Sequence, residues 1–135
     1  MSEQFPSRDA VATTVKEYLE RLEAGRLTEV AELFTEDCFY SHPPYETGGP
    51  LAEAQGREDL QRLLVERRRT RGWYHEIDEL WIAEDRCILS TTVYETKGGP
   101  MRSSSFGLGT FAPDGRIKRW VAVRSIPGIG SSLGG

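Results

Sequence analysis

Partway along this 135-residue chain the spacing of apolar residues changes from a helical to a strand period, and that change constrains the fold most. Val11, Val15, Tyr18, Leu19 and Leu22 recur at helical spacing, with Lys16, Glu17, Glu20, Arg21 and Glu23 on the opposite side. Ser7 or Asp9 can cap this run, and Gly25 can end it, because glycine takes the left-handed C-terminal position without steric cost. A shorter helix is expected over residues 28–34, burying Val30, Ala31 and Phe34. Residues 38–42 read as a short strand, stopped by Pro43 and Pro44, which cannot donate to a sheet ladder. Residues 45–55 have no period and are expected to form a loop. A third helix follows Gly56, carries Leu60, Leu63 and Leu64 on one side, and ends near Gly72.

From Tyr74 onward the pattern is that of strands, over residues 74–82, 87–96, 101–111 and 116–125. Glu84-Asp85, Lys97-Gly98-Gly99-Pro100 and Pro113-Asp114-Gly115 supply the turns. Helices first and hairpin-linked strands after predict one α+β domain, with a mostly antiparallel, strongly curved sheet closed on one face by the helices. Such a sheet would enclose a cone, a natural small-molecule pocket. The domain is expected over residues 8–125, between a flexible start (1–7) and a flexible Gly/Ser-rich tail (126–135).

Composition excludes several functions. Lys and Arg number 17 against 21 Asp and Glu, a net charge of −4, which argues against nucleic acid as the partner. Cys38 and Cys87 read as two buried thiols, not a bridge. The chain opens with no basic-then-apolar leader and has no apolar run of about 18 residues, so no membrane association is expected and the expected location is cytoplasmic. Gly107-Leu108-Gly109 does not link a strand to a helix, and no helix follows Gly128-Ile129-Gly130, so no dinucleotide cofactor is expected. His42, His75 and Cys87 match no compact zinc spacing and would need Glu79 or Glu95 as a further ligand; no metal is expected either.

His42 is the most informative residue. It ends a strand just before two prolines, where it can project into a pocket mouth as a proton carrier or simply bind the following loop. Its ordinary pKa near 6.5 lies closer to neutrality than a carboxylate's. Tyr18 reads either as a core tyrosine or as a hydroxyl donor to a carbonyl or enolate oxygen at the pocket floor. Tyr40 shares His42's side of its strand, and Tyr40 and Tyr45 flank it as donors or aromatic walls. His75 lies on a strand with two mixed faces, so acid–base, hydrogen-bonding and structural roles stay open. Arg67 or Arg71, from a basic run favoured by the helix dipole, would neutralise a ligand carboxylate or phenolate if it faced inward. Ser103 and Ser105 share a face with Gly107 and Gly109, which leaves room for a ligand or lets Trp120 pack closely; both readings stay open. Trp73, Trp81 and Trp120 are candidate apolar walls, with Trp81 alternatively on a dimer face.

Residues 15–27 around Tyr18, with Leu33-Phe34-Thr35-Glu36-Asp37-Cys38, Ser41-His42-Pro43, Gly56-Arg57-Glu58-Asp59-Leu60 and the closing Pro113-Asp114-Gly115-Arg116 up to Trp120, resemble the nuclear transport factor 2-like superfamily in its SnoaL-like branch. Ketosteroid isomerases and limonene epoxide hydrolases are relatives of that branch. The resemblance covers about residues 8–125 and implies a cone-shaped fold with a bent sheet and three helices in the N-terminal half. It also implies a homodimer through the outer sheet face. Members of the isomerase and cyclase branches move a proton on polycyclic or aromatic carbonyl compounds without a cofactor; others bind ligands or assemble complexes.

Residue by residue, Tyr18 matches the first-helix tyrosine that serves the isomerases as an oxyanion donor. His42 stands before Pro43 where they carry an aspartate base. Their second donor, a protonated aspartate, falls near Gly107, which has no side chain. The resemblance therefore implies a cofactor-independent isomerase or cyclase of a small apolar or aromatic carbonyl compound, polyketide-like or polycyclic. His42, Tyr18 and Tyr40 would be catalytic, and Tyr45, Arg67, Trp73, His75, Ser105 and Trp120 would bind substrate. A noncatalytic binding or assembly domain is the alternative reading, and a hydrolase or dehydratase a further one.

Overall fold

The first helical run forms α1 (Arg8–Ala24) in the computed structural model, which describes residues 5–43, 51–68 and 74–125. The Ser7 side chain accepts from the Ala10 backbone N–H, and Gly25 closes the helix at φ 77°. The apolar stripe does what its spacing predicts: Val11, Val15, Tyr18, Leu19 and Leu22 are all buried. The remaining elements are α2 (Leu27–Ala31), β1 (Phe34–His42), β2 (Ala52–Gln55), α3 (Arg57–Arg68), β3 (Tyr74–Ala83), β4 (Arg86–Tyr94), β5 (Met101–Phe111) and β6 (Ile117–Ser125).

Most boundaries shift by a residue or two from the sequence expectation, and two places depart further. Phe34, expected in the second helix, opens β1, because pairing with β6 begins there: the Ile117 N–H donates to the Leu33 carbonyl at 2.8 Å. Residues 52–55, expected in a loop, form β2, with Ala54 opposite Tyr40 and Ala52 opposite His42. Ala52 and Ala54 are buried and Glu53 and Gln55 exposed, but four residues built on alanine are too short and too weakly β-forming to announce a strand. The expected end of α3 near Gly72 lies outside the described residues, as do the proposed flexible termini apart from residues 5–7.

Among the described residues the six strands join one sheet in the order β2-β1-β6-β5-β4-β3, with β1 and β6 parallel and every other pair antiparallel. The expected strongly curved, cone-shaped sheet is not what forms. The sheet is open, neither closed nor strongly curled, because its edges β2 and β3 are separated by four other strands and never pair. The α+β class and the three helices stand. Enclosure comes instead from the helices covering one face, where Phe34, Tyr40, Leu60, Leu64, Phe111 and Trp120 form the core. The opposite face leaves Trp81, Ile88, Phe106, Leu108 and Val123 exposed. No helix among the described residues is long and apolar enough to cross a membrane.

Candidate functional site

Strand register brings the candidate residues together on the helix-covered face. His75 stands opposite Val93, Val93 opposite Ser103, and Ser105 lies between Thr91 and Arg124. On the other side of β6, Tyr40 of β1 neighbours Trp120. A cavity of about 110 Å³ opens here, lined by His42, His75, Arg102, Ser103, Ser105 and Arg124 among others. A second cavity, of about 40 Å³, shares His42, His75, Ser105 and Ala122 with it and adds Tyr18, Arg67, Thr91 and Trp120. His42 and Tyr18 thus line one space.

His42 is held by the chain that follows it. Its Nδ1 lies 2.8 Å from the Pro43 carbonyl oxygen, which can only accept, so Nδ1 carries the hydrogen and Nε2 is the basic nitrogen. Burial first, then the Arg67 cation, push its pKa down to about 3, against the opposing Pro43 hydrogen bond; Arg124 and His75 add to the lowering. The imidazole is therefore neutral at pH 7, and far less basic than the ordinary value near 6.5 suggested.

Tyr18 is both a core residue and a cavity-lining one. Its ring is in the core, with centroid 5.3 Å from Trp120 and 5.8 Å from Phe34 in an edge-on contact, yet it also lines the smaller cavity. Tyr40 is different: it stacks on the His42 ring at 6.4 Å but lines neither cavity, and its buried hydroxyl has no partner among the described residues. Tyr45 and Trp73 lie outside the described residues. The open question over the small residues of β5 is decided by Trp120. A Cβ at Gly107 would run into the indole, and one at Gly109 would sit 2.9 Å from it, so these glycines seat the tryptophan. No second oxyanion donor fits at 107.

Sequence reasoning missed several residues here. Glu23, assigned to the solvent side of α1, is half-buried: its carboxylate accepts from the His75 backbone N–H and lies 3.2 Å from His75 Nδ1. The signal was present, since Glu23 follows the buried Leu19 by one helical repeat. Thr91 is buried, and its hydroxyl lies 2.9 Å from that of Ser105, giving a polar pair beside the cavity. Arg124 lines the larger cavity, and only its pairing with Ser105 across the sheet reveals that it faces inward. Among the described residues, no group of three or more His, Cys, Asp or Glu side chains is arranged to hold a metal ion.

Comparison with known proteins gives a consistent picture. The family model described as "SnoaL-like domain" matches residues 15–120. No curated protein matches this chain in sequence. Among solved structures, a protein of unknown function with a cystatin-like fold from Methylobium petroleophilum PM1 is 17% identical, with a TM-score of 0.72 over 91% of this chain and 80% of that one. A protein provisionally assigned as a polyketide cyclase, from Sinorhizobium meliloti, is 19% identical, with a TM-score of 0.65 over 82% of this chain and 94% of that one. Another, provisionally assigned as a ketosteroid isomerase, from Kribbella flavida DSM 17836, is 19% identical, with a TM-score of 0.68 over 87% of this chain and 79% of that one. At such identities these likenesses establish the fold.

Proposed function

The chain belongs to the SnoaL-like domain family, and on that premise we propose that it is a cofactor-independent isomerase or cyclase acting on a small carbonyl compound. One observation carries the reading: Tyr18 and His42, from different elements, line the same cavity. His42 Nε2 takes a proton from the carbon next to the substrate carbonyl. The electrons of that C–H bond become the enolate, whose oxygen is held by the Tyr18 hydroxyl with help from Ser105. The proton returns at another carbon, completing an isomerisation. In a cyclisation, the enolate carbon instead attacks a second carbonyl of the same molecule and the new alkoxide takes the proton. Atoms balance within one substrate, so the step consumes no co-reactant. The relatives provisionally assigned as a polyketide cyclase and a ketosteroid isomerase support this substrate class. Trp120 supplies an apolar wall, and Arg67 and His75 face the same space as substrate-binding residues.

Hydrogen–deuterium exchange into a panel of small ketones and 1,3-dicarbonyl compounds, followed by proton NMR, tests the proposal. The native protein is expected to speed exchange next to the carbonyl, and His42→Ala to abolish that without unfolding. Exchange that is unchanged in His42→Ala would remove the catalytic reading.

The alternative of a noncatalytic binding domain has one observation in its favour, the weak basicity of His42. For the apolar sheet face around Trp81, Ile88 and Leu108 we propose a second copy of this chain as occupant, as the resemblance implies. A groove of about 570 Å³ on that face offers an apolar seat for it.

A further inference from the structure

We propose that His75, held by the carboxylate of Glu23, is a second proton carrier of this cavity: it receives the proton that His42 takes from the substrate and delivers it to the other carbon. The inference rests on the reading of His42 as the base and adds the route by which its proton leaves.

Two elements bring the pair to the site. His75 stands near the start of β3 and lines both cavities, as His42 does. Glu23 stands in the last turn of α1, one residue before the helix ends. A carboxylate there faces the negative end of the helix dipole, so local electrostatics disfavour it. What offsets this is His75: one carboxylate oxygen accepts the His75 backbone N–H and lies 3.2 Å from Nδ1 of the same residue. The contact is sheltered, with 11% of the His75 side-chain surface and 22% of the Glu23 surface exposed, so solvent screens it less than a surface pair. A carboxylate can only accept, so Nδ1 carries the hydrogen and Nε2, on the far edge of the ring, keeps its lone pair.

His42 needs such a partner. Its Nδ1 is bound to the Pro43 carbonyl, so the ring does not swing from one substrate carbon to another. A proton on its Nε2 is also given up readily, since the pKa there is pushed down to about 3. Charge on His75 is among the causes of that lowering, so the two rings are within electrostatic reach and hold one proton between them in preference to two. Arg67, Arg102 and Arg124 line the same cavities and add positive charge, while the Glu23 carboxylate balances the charge that a proton brings to His75. The His42 Nε2–H bond breaks as the His75 Nε2–H bond forms. That second bond then breaks in turn, its electrons return to Nε2, and the proton joins the enolate carbon or the new alkoxide. Both imidazoles end as they began. Glu23 acts through His75 and is a positioning residue, whereas His75 meets the reacting atoms.

Without the relay, a proton on His42 returns to the carbon it left, and little label enters the substrate. The test therefore measures deuterium uptake from heavy water into cyclohexanone, as initial rates against probe concentration, which separates kcat from KM. His75→Gln is expected to lower kcat about 10²-fold and Glu23→Gln at least about tenfold, with KM within about threefold of native in both. A raised KM with native kcat in His75→Gln would make His75 a binding residue only and overturn the proposal. Unchanged kinetics in Glu23→Gln would overturn it too. A second measurement needs neither variant nor turnover: long-range proton–nitrogen correlation NMR reads the His75 tautomer in the native protein, at a pH where the ring is neutral. The Nδ1–H form is expected, and the Nε2–H form would overturn the proposal, because Nε2 would then have no lone pair to take the proton. Uptake lost in His42→Ala but intact in His75→Gln would strike the relay and leave His42 as the base. No uptake by the native protein would strike the catalytic reading itself, and the relay with it.

Discussion

The indole of Trp120 occupies the space that a side chain at Gly107 would need. The two sit on neighbouring strands, two positions apart in the β5–β6 register, and the ring also packs on Tyr18. This contact closes the position where a second oxyanion donor would stand in an isomerase. It leaves Tyr18 and the Thr91–Ser105 pair as the hydroxyl groups lining the smaller cavity. Gly107→Ala is expected to cost about 1–3 kcal/mol in urea unfolding, since a buried ring must shift to admit the methyl group. Unchanged stability would show that Trp120 yields without cost.

Tyr18→Phe separates the two roles of that residue. Its ring packing survives the substitution, so stability is expected to fall by no more than about 1 kcal/mol. The exchange rate is expected to fall about 10²–10³-fold if the hydroxyl holds the enolate oxygen. A loss of stability with an unaltered rate would make Tyr18 a core residue only.

Tyr40→Phe is expected to leave stability unchanged or raise it by up to about 1 kcal/mol, because the buried hydroxyl has no partner among the described residues and its desolvation is uncompensated. Thermal unfolding of the variant checks this; a clear drop in Tm would show that the hydroxyl is bonded.

His42 sets an acid limit to stability. Its pKa is about 3 in the folded chain and near 6.5 when unfolded, so between those values the unfolded state binds more protons. Its contribution is fully present above about pH 6.5 and is lost as pH falls toward 3, by up to about 1.4 kcal/mol per pH unit. Urea midpoints measured from pH 7 to 4 are expected to fall more steeply in the native protein than in His42→Gln. Parallel curves would mean that the imidazole titrates normally.

Leu108→Glu on the exposed sheet face is expected to convert a dimer to a monomer without unfolding it, read by light scattering coupled to gel filtration. A native protein that is already monomeric at micromolar concentration would overturn the proposed pairing.

Local chemistry made much of the architecture readable in advance. The apolar stripe from Val11 to Leu22, the Gly25 cap and the turns at Glu84-Asp85 and Pro113-Asp114-Gly115 depend on neighbours within a few residues, and each appears where its spacing placed it. Phe34 and Ala52 escaped because their conformation is decided by strands distant in sequence: Phe34 pairs with Ile117, and Ala52 with His42. The cone failed for a related reason. Sheet curvature depends on which edges meet, and nothing in a strand's own residues states that β2 and β3 remain apart.

The candidate site divides in the same way. From the residues alone came a histidine before a proline, a tyrosine on the inner stripe of a helix and a pair of glycines on one strand face, because residue type and period are properties of the chain itself. Only the packed fold decided that Arg67, Arg102 and Arg124 gather around His42, that Glu23 turns inward to hold His75, and that Tyr40 lies behind the cavity instead of facing it. Charges separated by tens of residues interact through space, and the basicity of a buried imidazole is set by that field and by lost water, neither of which local sequence encodes.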